Sequence, residues 1–183
     1  MISGRNVVLR NKKLSDARND YKWKKDAELA QLDAAPQLTS SFAQYLLNYS
    51  TDLHLSRATS RQFAIETKDG KHIGNCGFYD INPIRGEAEL GIMIGDRDYW
   101  DKGYGTDAVN TLVDYIFRET ELNRIYLKTL TGNFRAQRCF EKCGFGRYAK
   151  WERDGYNFVL MEVNRRQWQK RRKRPDITPG AAG

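Results

Sequence analysis

Tyr99-Trp100-Asp101-Lys102-Gly103-Tyr104-Gly105-Thr106 decides the reading of this chain, together with the run before it, Glu87-Ala88-Glu89-Leu90-Gly91-Ile92-Met93-Ile94-Gly95. The earlier run reads as a strand over 87–94. After the turn, Ala108, Val109, Leu112, Val113, Ile116 and Phe117 recur at the spacing of one broad apolar helix face, so a helix is expected to start near Thr106. A glycine turn between a strand and an amphipathic helix suits an anion. The start of a helix leaves first-turn amides unpaired and carries partial positive charge. Glycine lets a phosphate come close to the backbone. Many Gly-x-Gly turns bind nothing, so the turn is suggestive only in context. The spacing does not match the Walker P-loop. The Rossmann fingerprint fits poorly, because the preceding strand belongs to an antiparallel run. Nucleotide hydrolysis and NAD chemistry are therefore disfavoured.

Toward the N-terminus, residues 61–67 alternate as a strand, Lys68-Asp69-Gly70-Lys71 is a tight turn, and 72–81 is the return strand. Pro83 to Gly86 forms another turn. Earlier still, residues 6–10 read as a short strand, and Ser15-Asp16 as a helix start followed by Ala17, Tyr21 and Trp23. A helix is expected over 41–48, and an irregular polar region from Thr51 to Ser60. Toward the C-terminus, 124–130 is a strand and 133–143 a short helix. Residues 145–152 and 156–164 form a hairpin around Asp154-Gly155. The order predicts an α/β (α+β) fold with a mostly antiparallel central sheet flanked by helices and one strand–helix–strand crossover.

The chain has 183 residues, 40% hydrophobic and 30% charged, which suits one domain with its own core. No apolar run approaches the roughly 18 residues of a membrane helix. Met1-Ile2-Ser3-Gly4-Arg5 lacks the layout of a secretory signal, so a cytoplasmic protein with no membrane contact is expected. Cys76, Cys139 and Cys143 do not make a disulfide framework, and free thiols are expected. His72 lies too far from Cys76 along an extended strand to share an ion with it, so no metal site is expected. The net charge is +8, and Arg165, Arg166, Lys170, Arg171, Arg172, Lys173 and Arg174 supply seven of those charges. This divides the chain into a domain over 1–164 and a basic, flexible tail over 165–183. The tail reads as a fraying helix end or as a contact for nucleic acid or the ribosome.

The run from Glu87 and the glycine turn resemble the acetyl-CoA motif of the GNAT acyltransferases. Asn133-Phe134-Arg135-Ala136-Gln137-Arg138-Cys139-Phe140-Glu141-Lys142-Cys143-Gly144-Phe145 resembles the second cofactor-facing block of that superfamily. Trp100 before the glycines and Gly74-Asn75-Cys76-Gly77 look most like the subgroup of RimJ/RimL ribosomal-protein acetyltransferases and spermidine acetyltransferases. The resemblance implies the GNAT fold, acetyl-CoA as cofactor, and direct acetyl transfer to a primary amine. That amine is a protein N-terminus, a polyamine, an amino acid or an aminoglycoside. The alternative is a CoA-binding module that uses its basic tail on RNA or ribosomes, with weak or no catalysis. The oligomeric state stays open, a dimer included.

The same resemblance assigns residues. The amides of Lys102, Gly103, Tyr104, Gly105 and Thr106 take the CoA pyrophosphate. Trp100 stands where the family usually has Gln or Arg, which removes one side-chain contact. Leu90 to Ile94 is the splayed strand beside the pantetheine arm, with Ile92, Met93 and Ile94 as contacts and an amide near Ile92 or Met93 polarising the thioester. Asn133 touches the pantetheine, caps its helix, or does both. Arg138 is the best placed of Arg135, Arg138 and Lys142 to meet phosphate. Phe140 occupies the usual tyrosine acid position and has no proton to give, leaving Tyr104 and Tyr148 as substitutes. Glu89 shares a strand face with Glu87, Gly91 and Met93 and is the expected base, with Asp80 second. The acceptor pocket is expected from the N-terminal helices and the loop from Thr51 to Ser60.

Overall fold

A computed structural model describes residues 1–55 and 58–173. Its strands are β1 (Ile2–Ser3), β2 (Val7–Asn11), β3 (Arg61–Thr67), β4 (His72–Asn82), β5 (Glu87–Ile94), β6 (Arg124–Leu130), β7 (Gly146–Arg153) and β8 (Tyr156–Asn164). The helices are α1 (Ala17–Lys24), α2 (Ala27–Leu32), α3 (Phe42–His54), α4 (Tyr104–Glu119), α5 (Phe134–Lys142) and α6 (Arg165–Arg172). The strands form one eight-stranded sheet in the order β1-β2-β3-β4-β5-β6-β8-β7. Among the described residues β5 and β6 are the parallel pair, and every other neighbouring pair is antiparallel. The crossover between β5 and β6 is α4, as its position in the sequence predicts.

α4 holds the sheet because its apolar stripe is fully used. Ala108, Val109, Leu112, Val113, Ile116 and Phe117 are all buried, against a sheet face carrying Val7, Leu9, Phe78, Leu90 and Ile125. Burying each large aliphatic side chain contributes about 1.5–3 kcal/mol. The Asp107 carboxylate near the start of α4 also accepts from the amides of Arg5, Asn6 and Val7, at 3.1, 2.6 and 3.0 Å. That fixes the N-terminal turn to the helix.

A buried polar layer ties α1 to the sheet. Arg10 makes a bidentate pair with Asp16, both contacts at 2.7 Å, and also meets Glu66. Lys12 bridges Asp20 and Asn75, and Asn75 donates to Asp20 at 2.7 Å. Hydrogen bonds to Asp16 and Glu66 raise the Arg10 guanidinium against its burial. Removing one partner from such a pair leaves a buried charge uncompensated, at a cost of about 3–5 kcal/mol.

Three elements depart from the sequence expectations. α3 continues to His54, where irregular chain was expected, because Leu47, Asn48, Tyr49 and Ser50 keep the helical register up to its end. α2 was not anticipated; at six residues it is too short for a periodic signal, and its Asp26 cap accepts from Leu29 at 3.0 Å. The expected basic tail begins as the docked helix α6. Arg165 donates to the carbonyls of Thr120 and Leu122 at 2.6 Å, Trp168 packs on Phe117, and Arg171 reaches the Lys142 carbonyl at 2.7 Å. The remainder of that segment, residues 174–183, lies outside the described residues, as do 56 and 57. Among the described residues no helix is long and apolar enough to cross a membrane.

Candidate active site

β5 and β6 are joined only at Glu87–Arg124, Ala88–Ile125 and Glu89–Tyr126. Beyond Glu89, β5 stays paired with β4 as far as Ile94, and β6 stays paired with β8 as far as Leu130. The two strands therefore part, and a cleft opens between them. Gly91 lies at the start of the gap for a steric reason: a Cβ there would lie 2.9 Å from the Tyr79 ring. Trp100 Nε1 donates to the Ile94 carbonyl at 2.7 Å, which marks that carbonyl as turned away from β4. Backbone direction repeats every second residue in a strand. The amide and carbonyl of Ile92 consequently face the open side too.

At the mouth of the cleft is the glycine turn. Gly103 precedes α4 with φ 85°, in the left-handed region that favours glycine. It offers no side chain to cap the helix, so the amides of Tyr104, Gly105 and Thr106 point outward from an uncapped helix start. α5 faces this turn. Its cap Asn133 accepts from Ala136 at 3.2 Å, and buried Gln137 donates to the carbonyls of Leu130 and Thr131 at 2.9 Å each. Those bonds lock α5 to the end of β6.

Two cavities occupy the cleft. The first, about 470 Å³, is bounded by Ile92, Met93 and Ile94, by Gly103, Gly105 and Thr106, and by Asn133, Arg135, Arg138 and Lys142. The second, about 330 Å³, is bounded by Tyr79, Gly91, Lys128, Trp151, Arg153, Asp154 and Tyr156. Leu32, Asp33, Ile92, Asn133, Ala136 and Phe140 line both, so the cavities meet there.

Of the residues expected to hold a cofactor, Ile92, Met93, Ile94, Gly103, Gly105, Thr106, Asn133 and Arg138 line the first cavity. Lys102 and Tyr104 do not; the Tyr104 ring packs edge-on against Tyr99, with centroids 4.9 Å apart. Glu89 is buried at the apex of the split, behind the second cavity. It accepts from Tyr79 at 3.2 Å and pairs with Lys128 at 2.9 Å. Asp80 is exposed at the register break after Tyr79 and lines neither cavity, because the irregular backbone turns it outward. Tyr148 stands exposed on β7, outside both cavities. Phe140 is buried edge-on against Phe145 with its ring on both cavities.

The sequence reading missed several contributors. The loop from Thr51 to Ser60 lines neither cavity in its described part; the β7–β8 hairpin takes that place. Trp151 and Tyr156 gave no signal beyond alternation in an exposed hairpin. Leu29, Leu32 and Asp33 arrive from the unanticipated α2. Asp33 is exposed at the cavity rim, yet partial desolvation by the surrounding walls raises its carboxyl, against a lowering influence from Lys24.

Trp100 does more than replace a lost contact. The Arg135 guanidinium lies 3.3 Å from its ring centroid. Arg97 sits 5.4 Å from the same ring and is held by Asp26 and Glu28. Arg135 makes no hydrogen bond or ion pair among the described residues, so its donors remain available to the cavity. Cys139 lies beside the turn and accepts from the Thr106 hydroxyl at 3.5 Å. The Cys143 thiol next to it, with Thr106, lowers the Cys139 thiol to about 7.

Residues 6–146 match the family described as Acetyltransferase (GNAT) domain. The uncharacterized N-acetyltransferase p20 of Bacillus licheniformis is 33% identical over 67% of this chain and 68% of its own length. The putative ribosomal N-acetyltransferase YdaF of Bacillus subtilis is 29% identical over 55% of this chain, and the match spans 58% of YdaF. The crystal structure of spermidine N-acetyltransferase from Vibrio cholerae, in complex with CoA and spermine, superposes with a TM-score of 0.79. That match covers 90% of this chain and 98% of that one at 22% identity, and shows a common fold. The parted strands, the uncapped glycine turn and the match over 6–146 agree: this chain belongs to the GNAT family of acetyl-CoA-dependent N-acetyltransferases.

Proposed function

We propose that this chain moves the acetyl group of acetyl-CoA directly onto a primary amine where its two cavities meet. The observation that carries the reading is the shared wall: Ile92, Asn133 and Phe140 line both cavities, so a thioester from one and an amine from the other reach the same point. The first cavity suits CoA. The amides of Tyr104, Gly105 and Thr106 take the pyrophosphate, helped by their neighbours Lys102 and Gly103. Arg138 and Arg135 supply cations, and Asn133 meets the pantetheine. Met93 and Ile94 flank the arm, and the Ile92 amide donates to the thioester oxygen as charge builds on it. Glu89 acts at a remove, by holding Tyr79 and Lys128 at the edge of the second cavity. Asp80 has no role in this arrangement.

The second cavity takes the amine. Lys128 and Arg153 line it, each paired with a carboxylate, Glu89 and Asp154, so the charge of this wall does not select a protein N-terminus over a polyamine. No tyrosine stands at Phe140 to protonate the departing thiolate, which leaves without assistance because its pKa is modest. Phe140, and the outward Arg166, Lys170 and Lys173 of the C-terminal segment, favour the second reading, a CoA-binding module that contacts RNA. Thiol release from acetyl-CoA across a panel of peptides, amino acids, aminoglycosides and polyamines separates the two. Turnover of at least one amine is expected. Acetyl-CoA binding by calorimetry with no turnover of any amine would overturn the enzyme reading.

A further inference from the structure

We propose that Asp33 receives the ammonium group of the acceptor and takes its proton, a role that rests on the transfer reading above. Asp33 lines both cavities and so stands where amine and thioester meet. It closes α2 with φ −88° and ψ 0°, and the next residue, Ala34, has φ 50°, so the chain turns sharply just after it. Its backbone amide is fixed to the Leu29 carbonyl at 3.0 Å. Its carboxylate accepts no hydrogen bond among the described residues.

The other carboxylates of the cleft are engaged or misplaced. Glu89 lies behind Tyr79 and Lys128 and carries bonds from both. Asp154 pairs with Arg153 at 3.1 Å. Asp101 stands beside the glycine turn and lines the first cavity alone. The charged groups facing Asp33 leave it as the open site for a cation. Lys24 of α1 and Tyr79 of β4 act on it electrostatically. Lys128 is engaged by Glu89, while Arg135, Arg138 and Lys142 line the phosphate side. Asp33 is itself exposed at the cavity rim, but the cleft walls partly desolvate its carboxylate, and an incoming ammonium relieves that cost.

The chemistry balances without another reactant. The ammonium gives one proton to the Asp33 carboxylate. The freed nitrogen lone pair forms the C–N bond at the thioester carbon, and the carbonyl electrons move to oxygen beside the Ile92 amide. When they return, the C–S bond breaks and the CoA thiolate leaves. The second proton passes from nitrogen to that thiolate, and Asp33 later releases the first to solvent.

The test begins with wild-type protein and the amine panel; failure of every amine there sinks the transfer reading itself, before any variant is made. With an accepted amine, the pH dependence of kcat/KM is measured for the wild type, Asp33→Asn, Asp33→Glu and Glu89→Gln. Asp33→Asn is expected to lower kcat/KM by about 10²–10³ and to lose the acidic limb. Its acetyl-CoA affinity by calorimetry stays near the wild-type value. Asp33→Glu restores the limb at reduced rate, which a purely structural role would not do. An Asp33→Asn protein that keeps the wild-type rate and acidic limb overturns the proposal. So does an acidic limb that disappears in Glu89→Gln alone.

Discussion

The two halves of the cleft are built in different ways. The half we assign to the cofactor is made mainly of backbone: an uncapped helix start after Gly103 and the edge of β5 that faces away from β4 beyond Glu89. Its parts are close in sequence. The acceptor half is made of side chains from distant segments: Asp33 after α2, Tyr79 from β4, Lys128 from β6, and Trp151 and Tyr156 from the last hairpin. A backbone site tolerates changes in side chains but not in dihedral angles. A side-chain site has the opposite sensitivity.

The strongest way to break this contrast is Gly103→Val. A non-glycine residue in the left-handed region costs about 1–2 kcal/mol, more for a branched one, and the turn must shift to relieve it. Acetyl-CoA affinity is expected to fall by at least about tenfold, which calorimetry reads. Unchanged affinity would mean that the turn is not the anion site.

Trp100→Ala gives a smaller effect, because it removes the platform under Arg135 and not an amide. A cation–π contact is worth about 0.5–2 kcal/mol. KM for acetyl-CoA should rise about fivefold with kcat nearly unchanged, and Trp100→Phe should recover most of it. A kcat loss with unchanged KM would separate Trp100 from the cofactor half.

Glu89→Gln probes the acceptor half. It leaves Lys128 without its counter-charge at a partly exposed position, where ion pairs contribute little. KM for the amine is expected to change by about threefold, with KM for acetyl-CoA steady. A change confined to acetyl-CoA would erase the division between the halves.

The mildest probe is Cys139. With its thiol lowered to about 7, it should be the first cysteine alkylated by iodoacetamide at neutral pH. Its thiolate fraction rises with pH, so moving from pH 7 to pH 9 speeds labelling only about twofold. Burial pushes the Cys76 thiol up, and the Cys139 bond with burial pushes Cys143 up, so both lag. CoA should protect Cys139, as read by mass spectrometry of the peptide. Equal labelling with and without CoA would place Cys139 outside the cofactor half.

The same contrast explains what was legible in advance. β3, β5, β6 and β8 were bounded correctly by alternation and turn residues; α4 was found by its apolar spacing, but it starts at Tyr104, two residues before the expected Thr106. α2 was not, since six residues fall short of two helical turns and carry no readable period. Most of the residues expected beside the cofactor line the first cavity and come from two short stretches, 92–106 and 133–138; Lys102 and Tyr104 do not line it. Arg135 and Trp100 were noticed as residues but not as a stacked pair, because their contact joins a loop to a helix 35 positions later.

By itself the sequence determined most of the sheet's strands, the helix that covers them and the glycine turn at its start. Those depend on periodicity and local dihedral preference, which neighbouring residues carry. Only the tertiary structure decided which carboxylate is engaged and which is open. Glu89 was legible as an acid on a strand but not as the partner of Lys128 and Tyr79. Asp33 had no distinguishing local pattern at all. Its significance comes from the meeting of two cavities, and such a meeting is fixed by the packing of segments far apart in the chain.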